Sequence, residues 1–329
     1  MTGLLRRCAL IAFLLVGVPL HSPIQAQDYP TRPITIVVTL SAGTGMDVIA
    51  RLYADKLSQA LGKPVVIENK PGAATMLGTA AVANAAPDGY TLLVATSAAL
   101  SLNPTIYKQI SYDPERDLVP VSLYLKSPFI LIVNPALPIH TVPELIKYAK
   151  ESPTPLNYSS PGTGGLPYLS TELMNQRFGL KMTHVPYRAT SQAVGDVAAG
   201  HVSLSFAEAG ATLALIRDGK LRALAVSSTQ RLPAHPSVPP MAEAASAPDF
   251  ETVSWHVLMA PAKTPRPILE RLNAEMTRIM SDPDMQKRLS DLGLIPLNPS
   301  SIAETERYIK SETEKWSTLV KKLGLAGSQ

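Results

Sequence analysis

Ile34-Thr35-Ile36-Val37-Val38, followed by Ser41-Ala42-Gly43-Thr44-Gly45 and an amphipathic run to Leu61, is the stretch whose reading decides the fold. The first segment is apolar and β-branched, as expected of a central strand with both faces covered. The second is made of small residues that allow a sharp turn and a close approach to the backbone. In the third, Val48, Ile49, Leu52, Tyr53, Leu57 and Leu61 recur at helical spacing, while Arg51, Asp55, Lys56 and Gln59 take the opposite side. A helix that starts after such a turn aims its unpaired N–H groups and positive dipole end at it, so the turn suits an anion. Gly43-Thr44-Gly45 does not open a dinucleotide fingerprint, because the third glycine would fall at Val48. Asp47 could be a catalytic carboxylate, but Thr44-x-x-Asp47 before an apolar run also reads as a capping box. The structural role is preferred, since an ionised aspartate pointed into an anion site would repel the anion.

Around this stretch the composition sets limits. Met1 to Ala26 holds no acidic residue, carries Arg6 and Arg7, and runs apolar from Cys8 to Leu20, which predicts a secretory signal peptide over residues 1–26 cleaved near Ala26. Cleavage removes the single cysteine and lowers the formal net charge from +4 to +2. With no concentrated basic block, nucleic acid is not an expected partner. No later apolar run reaches the ~18 residues of a membrane span. The 30 prolines among 329 residues exceed the usual ~5% and fall mostly between apolar segments. Many short connections follow, and with them an α/β class.

Val65 to Glu68 and Tyr90 to Ala95 read as further strands, the latter ending in Thr96 and Ser97, and ligands collect at the carboxyl ends of parallel strands. Val119 to Leu123 and Phe129 to Val133 read as two strand runs broken at Lys126-Ser127-Pro128, where the chain is expected to leave one domain for another. Ser254 to Met259 is expected to bring it back. The domains are therefore 27–126 with 253–329, and 127–252. In the second, Leu156 to Gly165 repeats the strand–glycine turn–helix theme, with Ser160, Gly162, Thr163 and Gly164 in the turn, although an ordinary strand-to-helix connection explains it equally well. Two such turns favour a cleft between domains.

Chemistry-bearing patterns are few. The six histidines show no metal-ligand spacing, and no G-x-S-x-G elbow exists. Tyr187-Arg188 follows a predicted strand, and arginine binds carboxylates bidentately, though a solvated arginine is as ordinary a reading.

Taken together, Tyr29 to Ile34, Ala42-Gly43 with Asp47, Val65 to Ala73, Pro87 to Leu92, Asn103-Pro104, Tyr112 to Pro114, His184 to Tyr187, Gly219 to Val226 and Arg271 to Glu275 carry a resemblance over nearly the whole mature chain. The sequence resembles the substrate-binding proteins of tripartite tricarboxylate transporters, the Bug (TctC) family of periplasmic receptors. The resemblance implies a periplasmic-binding-protein (Venus flytrap) fold of two Rossmann-like domains, closing on a small organic carboxylate. It implies a periplasmic monomer that delivers the ligand to membrane permease subunits, with no catalysis, cofactor or metal. Ligand contacts would fall at Ser41, Ala42, Gly43 and Thr44, at Thr96 and Ser97, and in the Ser160 to Gly164 turn. The chain departs from the family at Thr39-Leu40-Ser41, Thr44, Tyr168 and Ala207. The last stands where an aspartate often follows the phenylalanine, which predicts a preference for amine-free carboxylates, with Glu208 facing away from the cleft. The alternatives are a periplasmic sensor of the same fold, or a hydrolase or lyase using Asp47 or Glu208.

Overall fold

The computed structural model describes residues 29–329, so the expected signal peptide lies outside the described residues. In chain order the first elements are β1 (Ile34–Val38), α1 (Gly45–Leu61), β2 (Val65–Asn69), α2 (Met76–Ala83) and β3 (Thr91–Thr96). A π-helical turn (Ala98–Leu102) then runs into α3 (Asn103–Ile106), followed by α4 (Pro114–Asp117) and the long β4 (Leu118–Val133). Next come α5 (Val142–Glu151), β5 (Asn157–Ser160), α6 (Leu166–Phe178), β6 (Thr183–Pro186), α7 (Thr190–Ala199), β7 (Leu204–Glu208), α8 (Ala209–Arg217), β8 (Arg222–Val226) and α9 (Met241–Ala244). The chain ends with β9 (Val253–Pro261), α10 (Arg266–Met280), α11 (Pro283–Asp291), β10 (Ile295–Pro296) and α12 (Ile302–Lys322).

β1 lies between β2 and β3 in parallel register, and β9 runs antiparallel between β3 and β4. The expected break at Lys126-Ser127-Pro128 is absent: β4 is one 16-residue strand. Its first part pairs with β9 as far as Pro128↔Val253, and from Phe129 onward it pairs with β7 and β8. Proline does not stop the strand because the pairing changes partners there, where a missing N–H costs least. Beyond β7 the second sheet continues with β5 and β6, both parallel to it.

Both faces of each sheet are covered, as the apolar strands require. Along β1, Ile34, Ile36 and Val38 enter one core while Val37 enters that on the opposite face. Along the second part of β4, Phe129, Leu131 and Val133 face one core and Ile130 and Ile132 the other. α1 buries Ile49, Tyr53, Leu57 and Leu61 as expected, but Val48 is exposed and Met46, Ala50 and Ala54 fill the stripe instead.

α12 ties the two sheets together. Ile302 packs in the core of the first, Tyr308 and Ile309 against its other face, and Trp316, Leu319 and Val320 in the core that holds Phe129 and Leu131. At the crossing itself Lys126 pairs with Glu251 at 2.9 Å, and Phe129 N donates to Ser227 Oγ at 2.9 Å.

Candidate functional site

The turn after β1 is organised from within. Buried Asp47 accepts from Gly43 N at 2.9 Å, from Arg51 Nε and Nη2 at 3.0 and 2.9 Å, and from Asn69 Nδ2 at 2.9 Å. Thr44 Oγ1 caps α1 by accepting from Asp47 N at 3.4 Å. The arrangement is wider than a capping box, because the carboxylate reaches past Thr44 to Gly43 and sideways to Asn69 at the end of β2. Chiefly the Arg51 hydrogen bond, helped by those from Gly43 and Asn69, lowers the Asp47 pKa to about 2. A carboxylate so committed has no lone pair aimed at a substrate, which removes Asp47 as a general acid or base. Ser41, Ala42 and Gly43 are exposed beside it.

At the end of β3, Thr96 is paired with His256, and buried Ser97 lies with its Oγ 3.3 Å from Ser254 Oγ at the start of β9. On the second sheet, Ser160 Oγ donates to the Gly162 carbonyl at 3.0 Å, so the 2.7 Å contact with His184 is an Nε2–H donating to Ser160. Desolvation lowers the His184 pKa and favours that neutral ring. Tyr158 stacks on the ring at 5.0 Å and Tyr168 meets it edge-on at 4.8 Å. The turn then climbs through Gly162 at φ +140° and Gly164 at φ +86°, conformations that L side chains rarely adopt, and a Cβ on Gly164 would come within 3.0 Å of Ile106 Cδ1. Thr163 is exposed at the crest of the turn.

Between the sheets a cavity of about 160 Å³ opens at these strand ends. Ser97 and Ser254, at strand ends of the first sheet, line it together with Phe129, Leu166, Thr190 and Glu208 of the second. Leu166, Thr190 and Glu208 mark the starts of α6, α7 and α8, and none of these helices has a side-chain cap. The uncapped starts of α6 and α7 leave N–H groups for an anion, whereas the start of α8 carries the Glu208 carboxylate. A larger groove of about 430 Å³ between α5 and α9 is lined by residues such as Lys147, Lys150 and Phe178, all from the second sheet's side, and lies away from the strand ends.

The expected contacts separate into groups. Ser97 lines the cavity, and the 160–164 turn contributes Pro161 to its wall. The Ser41 to Thr44 loop follows β1, at the same edge of the sheet, but does not line the cavity. The Tyr187 hydroxyl is taken up by Asp196 on α7. Arg188 is exposed two residues before Thr190 and makes no side-chain hydrogen bond or salt bridge among the described residues. Thr190, Phe129 and Ser254 were missed. Ser254 carried a signal, being a small polar residue where the chain returns to the first sheet.

The expectation at β7 is reversed. Ala207 pairs with Ile130 and is buried among Ile130, Ile132 and Val194, so it faces core and not cleft. Glu208, opposite Phe129, is the residue that faces the cavity. It keeps solvent access, yet the surrounding walls desolvate the carboxylate and raise its pKa. The preference for amine-free ligands argued from Ala207 therefore loses its basis.

Two sheets joined by the continuous strand β4, with a cavity at their facing strand ends, have the architecture of a periplasmic binding protein. The sequence model of the tripartite tricarboxylate transporter family receptor (TctC) matches residues 49–325, and the chain belongs to that family of solute-binding receptors, which are not enzymes. It is 36% identical over 303 residues, 92% of this chain and 89% of the relative, to a protein encoded in the tcbD-tcbE intergenic region of Pseudomonas sp. strain P51. It is 33% identical to BugT of Bordetella pertussis, covering 97% of this chain and 98% of that protein. Among solved structures, R. palustris Rpa4515 with adipate superposes with a TM-score of 0.80 at 33% identity, covering 91% of this chain and 99% of that one. MatC from Rhodopseudomonas palustris with bound malate gives 0.75 at 31% identity, covering 89% and 100%. Among the described residues no helix is long and apolar enough to cross a membrane.

Proposed function

We propose that this chain is exported by the leader at residues 1–26, works as a monomer in the periplasm, and binds a small organic carboxylate that it hands to membrane permease subunits. The ligand would sit between a lobe of residues 27–126 with 253–329 and a lobe of residues 127–252. The observation that carries this reading is the cavity at the facing strand ends, lined by Ser97 and Ser254 and by the starts of α6 and α7. Thr96, Ser97, Gly162, Thr163 and Gly164 are assigned direct contacts. The Ser41 to Thr44 loop and Arg188 are assigned to contacts made on closure. The adipate and malate in the two relatives support a carboxylate as ligand class.

Calorimetric titration with adipate, malate and succinate, together with recovery of each compound by NMR, tests this. Saturable binding with the compound returned unchanged is expected, and Gly164→Val should weaken it, because the new side chain is strained at φ +86° and meets Ile106, so the turn must shift. Chemical conversion of a bound compound would refute the reading.

A further inference from the structure

We propose that Glu208 determines specificity in the cleft and selects a small ligand that carries a protonated amine as well as a carboxylate. The inference rests on the receptor reading above and adds the second half of the ligand's chemistry. Glu208 closes β7 on the same face as Phe206 and opposite Phe129, and where the apolar core ends that face opens into the cavity. Its carboxylate makes no side-chain hydrogen bond or ion pair among the described residues, and although it precedes α8 it does not cap that helix. The same cavity is lined by the hydroxyl-bearing Ser97 and Ser254, and no lysine or arginine lines it.

The site is thus bipolar. The uncapped starts of α6 and α7 offer N–H groups to an anion, while Glu208 offers an acceptor with nothing to accept from. A second ligand carboxylate placed against Glu208 would be repelled, and more strongly in a partly desolvated cleft than in water. An ammonium there would supply a charge-assisted hydrogen bond and relieve the desolvated acid. The raised pKa of Glu208 fits a carboxylate crowded by walls and lacking a cation.

Matched pairs test the proposal: 4-aminobutyrate against glutarate and aspartate against succinate, titrated calorimetrically into the wild type and Glu208→Gln. In at least one pair the wild type should bind the amine-bearing member at least about tenfold more tightly, and the variant should bring that ratio to within about twofold. Because the Glu208 side chain has no internal partner, the variant should melt close to the wild type. Tighter binding of the dicarboxylate in both pairs, or an amine preference that survives Glu208→Gln, would overturn the selectivity and leave the receptor reading standing. Failure of all four compounds, with adipate and malate also inert, would overturn both.

Discussion

Replacing Asp47 separates a structural carboxylate from a ligand-binding one. Asp47→Asn keeps the shape, removes the charge, and sets an amide where Gly43 N–H, Arg51 and Asn69 all donate. Because the folded-state pKa is about 2 against an ordinary 3.8, the ionised form contributes stability that is complete above about pH 4 and is lost as pH falls through about 2. The shift corresponds to about 2.4 kcal/mol near pH 7, and linkage leaves about 1.3 kcal/mol of it near pH 3. Urea denaturation of both proteins at several pH values is the assay. The gap should be about 2 kcal/mol at neutral pH and narrow by about half near pH 3, with ligand binding by the folded variant unchanged in rank order. A variant as stable as the wild type that no longer binds carboxylates would refute the reasoning, since it would place the carboxylate at the ligand.

Three further outcomes follow from residues buried in the core. His256 is buried with its pKa lowered by desolvation to about 4, so the unfolded chain takes up protons first and stability falls as pH drops from about 6.5 towards 4. His256→Gln should flatten the urea-stability curve relative to the wild type by about 2 kcal/mol near pH 5, and parallel curves would contradict the assignment. Both tryptophans of the chain, Trp255 and Trp316, donate their indole N–H to Glu312, at 3.3 and 3.0 Å. Glu312→Ala leaves two buried donors unpaired, so a loss of about 2–4 kcal/mol with an altered intrinsic fluorescence spectrum is expected. Ala207→Asp should destabilise by several kcal/mol, because an ionised group would enter the apolar core around Ile130 and Ile132, and unchanged urea stability would show that the residue faces the cleft after all.

Much of this architecture was legible because it depends on local pattern. β1 and α1 stand where the β-branched run and the helical stripe placed them, with bounds Ile34–Val38 and Gly45–Leu61. α8 was not read, since Ala209-Gly210-Ala211 offers no apolar stripe and the helix is held by packing on β7 and α7. The continuity of β4 was also hidden, because Pro128 is a breaker in sequence and becomes tolerable only through the exchange of pairing partners. The site shows the same division. Both glycine turns could be placed from sequence, but which of Ala207 and Glu208 meets the cleft depends on register against β4. Alternation says only that the two oppose each other. Pairing of Ala207 with Ile130 decides the matter, and that is tertiary information.

The central claim, a cleft that closes on a carboxylate, is tested most directly by small-angle X-ray scattering. The chain would be measured without ligand and at saturation with whichever of adipate, malate, 4-aminobutyrate or aspartate binds most tightly. The account predicts a smaller radius of gyration at saturation, as the two lobes close over the shared ligand. An unchanged radius with the site demonstrably full would contradict it.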